Sequence, residues 1–216
     1  MTKVLSKVVE LCEGGRLTPP YRITFQEEGH QYQVDGVSVP SVTQVVDQLH
    51  NFTGSHDATA AMERGTLIHK ACELLILGTL DWTTVDDSIY PEVRTFAEWW
   101  ESARFTPLLV EGLVGSKQYQ FAGRLDLFGI WKTGLALIDF KTGNKYPAYR
   151  FQTAGLEIAL KEMLYRITPM KDLPVQRYCL YLKGDKARPV EHTDPRDRSR
   201  FLAALTCSHT RRELYP

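Results

Sequence analysis

The chain has 216 residues, of which 43% are hydrophobic and 24% charged, a composition typical of one globular domain with a substantial core. No segment reaches the roughly 18 consecutive apolar residues of a membrane span, and residues 1–11 mix charges with Val and Leu, unlike a secretory signal. We therefore expect a cytoplasmic protein without a membrane partner. The four cysteines lie far apart, which argues against disulfides, cysteine-ligated metals and an iron–sulfur cluster.

The net charge is zero, but the charges are unevenly distributed along the chain. Residues 1–144 hold 12 Lys or Arg against 18 Asp or Glu, whereas residues 145–216 hold 14 against 8. This asymmetry suits a protein that gathers carboxylates around a metal and offers a basic surface to a phosphate backbone, although chance explains it equally well.

The first part of the chain predicts short antiparallel strands followed by helices. Apolar residues alternate with polar ones between turn signals at Gly29 and Asp35-Gly36, which predicts an N-terminal β-hairpin over residues 21–40. Ser41 is a suitable N-cap for a helix over residues 42–49. Further helices are predicted over residues 57–77, with a break near Arg64-Gly65, and over residues 90–104.

The second part predicts a sheet covered by helices. Residues 108–114, 119–131 and 135–140 are rich in β-branched and aromatic residues and are separated by turns, so three consecutive antiparallel strands are expected. A helix over residues 148–166, a strand over residues 177–183 and a terminal helix over about 194–210, capped by Asp194, complete the prediction. The expected fold is α/β (α+β): one domain over residues 1–216, with a mixed sheet flanked by helices and a core from about 57 to 185.

Three charged residues stand where the predicted strands should be apolar: Asp126, Asp139 and Lys141. Because side chains alternate along a strand, Asp139 and Lys141 emerge on one face, roughly 7 Å apart. If residues 131–134 form an unpaired turn, Asp126 lies opposite Asp139, with Cβ atoms roughly 5 Å apart. Carboxylates at that distance repel each other, and a cation with a preference for oxygen ligands, Mg²⁺ or Mn²⁺, is the simplest compensation. A one-residue change in the turn would instead put them on opposite faces.

An Asp, a hairpin and then Asp-x-Lys resemble the signature of the PD-(D/E)XK nucleases. Three further positions are similar to the RecB-type exonuclease branch, which includes phage and mitochondrial genome-maintenance exonucleases: the segment from Gly65 to His69, Glu111 and Gln152. The segment Pro40-Ser-Val-Thr43 also resembles phage members. Leu125 replaces the proline of the family name, and Leu156 replaces a tyrosine common in the branch.

The resemblance implies a restriction-endonuclease-like core and a role for each matching residue. Asp126, Asp139 and the backbone carbonyl of Phe140 would bind one or two Mg²⁺ or Mn²⁺ ions. Lys141 would position or deprotonate a water, or stabilise the transition state.

Three other residues keep a structural alternative. His69 would be a second-metal ligand or a phosphate contact, but is otherwise a core histidine. Glu111 would belong to the metal site or to a structural salt bridge. Gln152 would orient a metal-bound water or contact DNA, or make a capping or core hydrogen bond.

The implied function is a metal-dependent DNA exonuclease acting in recombination, repair or phage replication. Its partner would be DNA, with a recombination or replication protein left open. The alternatives are an endonuclease on the same fold and a nuclease-like module that binds DNA or a partner protein without catalysis.

Overall fold

The computed structural model describes residues 20–49, 56–167, 173–183 and 185–215. The expectation for residues 1–11 and the position of Cys12 lie outside these ranges. Among the described residues, none of the helices combines the length and the apolar character needed to cross a bilayer.

A small antiparallel sheet precedes the first helix. Its strands are β1 (Ile23–Gln26), β2 (Gln31–Val34) and β3 (Val37–Val39), so the predicted hairpin is extended by a third strand. Helix α1 (Val42–Asp47) begins at Ser41, whose hydroxyl accepts from the amide of Gln44 while the Gln44 side chain accepts from the amide of Ser41. This reciprocal capping box confirms Ser41 as the N-cap.

The central sheet has five strands in the order of the chain. They are β4 (Thr106–Ser116), β5 (Phe121–Trp131), β6 (Gly134–Lys141), β7 (Val175–Tyr181) and β8 (Arg188–Glu191). All neighbours are antiparallel except β6 and β7, which run parallel. The sheet is therefore mixed, as predicted, but β8 was not expected because this short, largely exposed edge strand has no apolar alternation.

Helices cover both faces of the central sheet. They are α2 (His56–Ile76), α3 (Tyr90–Ala103), α4 (Tyr149–Ile167) and α5 (Arg196–Leu214). Along β6, Leu135 and Leu137 pack in one core with α1, α4, α5 and the small sheet, whereas Ile138 and Phe140 pack in a second core with α2 and α3. The strand alternation thus builds a layer of helices on each side of the sheet.

Three local predictions are corrected. Helix α2 continues through Arg64-Gly65, because the packing of the buried Ile68 and Cys72 outweighs the helix penalty of one glycine, roughly 1 kcal/mol. The turn between β5 and β6 has two unpaired residues rather than four, since Trp131 pairs with Gly134. Helix α5 begins after Pro195 rather than after Asp194, although the Asp194 carboxylate still accepts from the amide of Arg196 at 3.0 Å.

Candidate active site

A cleft of about 480 Å³ lies between the small sheet, α2, α4 and the central sheet. All six side chains singled out in the sequence line this cleft: His69, Glu111, Asp126, Asp139, Lys141 and Gln152. They come from α2, β4, β5, β6 and α4, so the fold gathers residues that are up to 83 positions apart in the chain.

The register of β5 and β6 places the two aspartates together. Pairs from Trp131–Gly134 to Leu127–Ile138 keep one register, and its next position sets Asp126 opposite Asp139. The additional Trp131–Gly134 pair at the turn leaves this register unchanged. Asp126 therefore lies opposite Asp139, as predicted, although the turn is shorter. Asp126 is 7% and Asp139 3% exposed, which excludes a solvated surface hairpin as the explanation of these charges.

Asp139 forms an ion pair with Lys141. Its Oδ2 atom lies 2.6 Å from Lys141 Nζ and 3.6 Å from Cys179 Sγ on β7, whose thiol donates to it. Lys141 Nζ also donates to Gln152 Oε1 at 3.0 Å and lies 4.3 Å from the centre of the Tyr149 ring. Burial disfavours the ammonium, but Asp139 above all raises the pKa of Lys141 above its usual value, so the side chain stays a cation.

His69, Glu111 and Asp126 form a second cluster. Each offers a donor atom within 4.8 Å of the others, and His69 Nδ1 lies 3.4 Å from Asp126 Oδ1. Asp139 is not part of this cluster among the described residues, because its carboxylate is directed to Lys141. The Phe140 amide donates to Asp126 Oδ2, and the Phe140 carbonyl stays a predicted ligand.

Glu111 has two energetically unfavourable features. Its Oε1 atom is buried with no hydrogen-bond partner among the described residues, and its backbone has a φ of 46°, in the left-handed region that non-glycine residues seldom adopt. Strain of this kind persists where the surrounding structure imposes it, commonly at functional sites. One imidazole and two carboxylates are suitable ligands for Mn²⁺ or Mg²⁺, so the donor set fits a divalent cation.

Protons compete with a cation for the side chains of Glu111 and His69. Burial, and then the charge of Asp126, raise the pKa of Glu111 to about 8. Burial disfavours a charged imidazole, but Asp126 outweighs it and raises the pKa of His69 to about 9. A cation bound by these side chains would have to displace both protons, which links metal affinity to pH.

Two contacts of the site were not predicted. Tyr149 lies three residues before Gln152 on α4, so helical spacing could have placed both on one face next to Lys141. Cys179 reaches Asp139 through the parallel pairing of β6 and β7. That pairing joins distant segments and leaves no local signal in the sequence.

The likenesses to known proteins described here are distant. No family model matches the chain, and no curated protein matches it. A solved structure of a candidate exonuclease from Eubacterium rectale matches with a TM-score of 0.49 and 11% identity, over 80% of this chain and 79% of that chain.

An alkaline exonuclease from Laribacter hongkongensis matches with a TM-score of 0.34 and 14% identity, over 81% of this chain and 92% of that chain. The same protein in complex with dAMP matches with a TM-score of 0.35 and 14% identity, over 82% of this chain and 93% of that chain. All three TM-scores lie below 0.5.

Proposed function

We propose that the cleft hydrolyses phosphodiester bonds of DNA with Mg²⁺ or Mn²⁺. The observation that carries this proposal is the meeting, in one cleft, of the His69, Glu111 and Asp126 cluster with the Asp139–Lys141 ion pair. A structural role accounts poorly for three buried or half-buried carboxylates at one point, because each costs free energy to bury without compensation.

The contacts support the roles of His69, Glu111, Asp126 and Lys141, and the resemblance supplies those of Asp139 and the Phe140 carbonyl. His69, Glu111 and Asp126 would hold the cation, and Asp139 and the Phe140 carbonyl would complete its ligands. A bound divalent cation polarises the phosphate and makes a bound water more acidic. Lys141 is held between Asp139 and Gln152, where an ammonium can stabilise the negative charge that develops on the phosphate. As an alternative role, Lys141 would position or deprotonate the attacking water.

The proposal extends to an exonuclease of the RecB-like branch. The support is the resemblance of residues 65–152 to that branch, whose described members act from DNA ends in recombination, repair or phage replication. An imidazole ligand favours Mn²⁺ over Mg²⁺ in the cluster. Comparing the two ions tests this preference. The basic C-terminal third of the chain, residues 145–216, suits DNA as the partner.

The test compares linear and covalently closed circular DNA. We expect end-labelled linear DNA to be degraded in Mg²⁺ or Mn²⁺ and left intact in EDTA, while the circle survives because it has no end. Cleavage of both substrates would indicate an endonuclease. Binding to DNA without cleavage in either metal would indicate a module that binds without catalysis.

A further inference from the structure

One wall of the cleft is a cluster of rings in edge-on and tilted contact, with an arginine beside them. We call it the aromatic wall: Phe25, His30, Tyr32 and Arg124. The Phe25 ring centre lies 4.6 Å from that of Tyr32 and 5.1 Å from that of His30. The guanidinium carbon of Arg124 lies 4.8 Å from the Phe25 ring centre, so Tyr32, Phe25 and Arg124 follow one another in contact.

The wall runs from the core to the open side of the cleft. Tyr32 is buried in the core, Phe25 is half-buried, and Arg124 and His30 are exposed. All four residues line the same cleft as the proposed metal ligands. Arg124 also lies two residues before Asp126 on β5, a separation of roughly 7 Å along a strand. A nucleotide whose phosphate is at Asp126 would therefore have its base within reach of this wall.

The charges of the wall suit a base better than a phosphate. Glu27 also lines the cleft, and the Glu111 carboxylate interacts electrostatically with Arg124. Cations are instead found beyond β6, where Lys141 lies over Tyr149 and the exposed Lys145 lies 5.3 Å from the Tyr181 ring centre. A phosphate backbone would favour that cationic side, leaving the uncharged base to the aromatic wall.

We infer that the aromatic wall binds the nucleobase next to the scissile phosphate, with the base stacked on the exposed Arg124 guanidinium and Phe25 packed behind it. This inference rests on the proposed nuclease function. Bases stack on aromatic rings and on guanidinium planes regardless of sequence, because every base has a π-face. The wall would therefore position single-stranded DNA, or an unpaired end, without selecting a sequence.

The test measures binding of a short labelled oligothymidylate in Ca²⁺ and in EDTA, with and without abasic nucleotides. Removing the bases should weaken binding by the wild type by about tenfold per stacked base. Arg124→Gln should bind the intact oligonucleotide more weakly and lose much less affinity when the bases are removed. Phe25→Leu keeps apolar bulk against the core and should behave in the same way, and Arg94→Gln, on the exposed ion pair of α3, is the matched control.

The outcomes separate this inference from the proposed function. If base removal weakens the variants as much as the wild type, the wall does not stack on bases and the inference is wrong, whatever the nuclease activity. If the variants lose this sensitivity but wild-type protein never cleaves DNA in Mg²⁺ or Mn²⁺, stacking is supported and the nuclease proposal fails. Absence of binding by the wild type would overturn both.

Discussion

The backbone amide of Phe140 donates a hydrogen bond to the Asp126 carboxylate at 2.5 Å, linking β6 to β5 beside the proposed metal site. The bond lies just beyond the last pair of the ladder, Leu127 with Ile138. It therefore orients Asp126 from the strand that carries Asp139 and Lys141. Acidic groups held in this way by two central strands can keep their spacing to the precision that metal binding and catalysis require.

Glu111→Gln should weaken metal binding without destabilising the fold. Burial and the charge of Asp126 raise the pKa of Glu111 to about 8, so the side chain is mostly uncharged near neutral pH, and its Oε1 has no hydrogen-bond partner among the described residues to lose. A neutral amide of the same shape should therefore cost the fold little. We expect affinity for Mn²⁺ to fall by at least about tenfold. Calorimetric titration would measure the affinity, and urea unfolding in EDTA the stability.

The control for this substitution is Glu98→Gln, which neutralises an exposed carboxylate on α3 and should change neither quantity. Wild-type Mn²⁺ affinity in Glu111→Gln would remove Glu111 from the proposed ligands. A large loss of stability in EDTA would instead favour a structural role for the carboxylate.

Stabilisation by Mg²⁺ should increase with pH. The pKa of Glu111 is raised from 4.5 to about 8 and that of His69 from 6.5 to about 9. For each group, between its unfolded and folded pKa values, the folded chain binds more protons than the unfolded chain. Without metal, the free energy of unfolding therefore falls as pH rises through these two ranges. A cation displaces the same protons, so the Mg²⁺-induced rise in melting temperature should grow from pH 6.5 to 9. A shift that is constant over this range would contradict the assignment of His69 as a ligand.

The titration of His192 should make the protein less stable as pH falls. Burial, reinforced by Arg177, lowers the pKa of His192 from 6.5 to about 4, and its Nδ1 lies 2.9 Å from the Thr153 hydroxyl. Between pH 4 and 6.5 the unfolded chain binds more protons, so this group makes stability fall as pH drops through the range. Urea midpoints across this range should vary less with pH in His192→Gln. An unchanged dependence would show that His192 is not its source.

Much of the site could be predicted from local patterns. Alternation along one strand places Asp139 and Lys141 on one face, and hairpin pairing places Asp126 opposite Asp139 even though the turn is two residues shorter than expected. The register survived because the extra pair, Trp131 with Gly134, adds one residue to each strand. The division into a His69, Glu111 and Asp126 cluster and a separate Asp139–Lys141 pair could not be predicted, because it depends on side-chain directions and on α2 packing over the sheet.

The small sheet could also be predicted only in part from the sequence. Its strands follow from alternation and turns, but the position of Phe25 and Tyr32 at the cleft depends on contacts with β4 and β5 that join distant segments of the chain. The contact of Arg124 with Phe25 likewise joins residues 99 positions apart. Non-local packing of this kind leaves no periodic trace in the sequence.

The most direct test of the central claim is the initial rate of linear DNA degradation in Mn²⁺ by the wild type, Asp126→Asn, Lys141→Ala and Lys132→Ala. Lys132 is exposed at the β5–β6 turn, at the other end of the hairpin from the cleft. Lys132→Ala therefore removes a lysine outside the site and is the control for Lys141→Ala. We expect Asp126→Asn and Lys141→Ala to lose about 10²–10³-fold in rate while Lys132→Ala retains the wild-type rate. Equal rates for all four proteins, or no cleavage by the wild type, would contradict catalysis at this cleft.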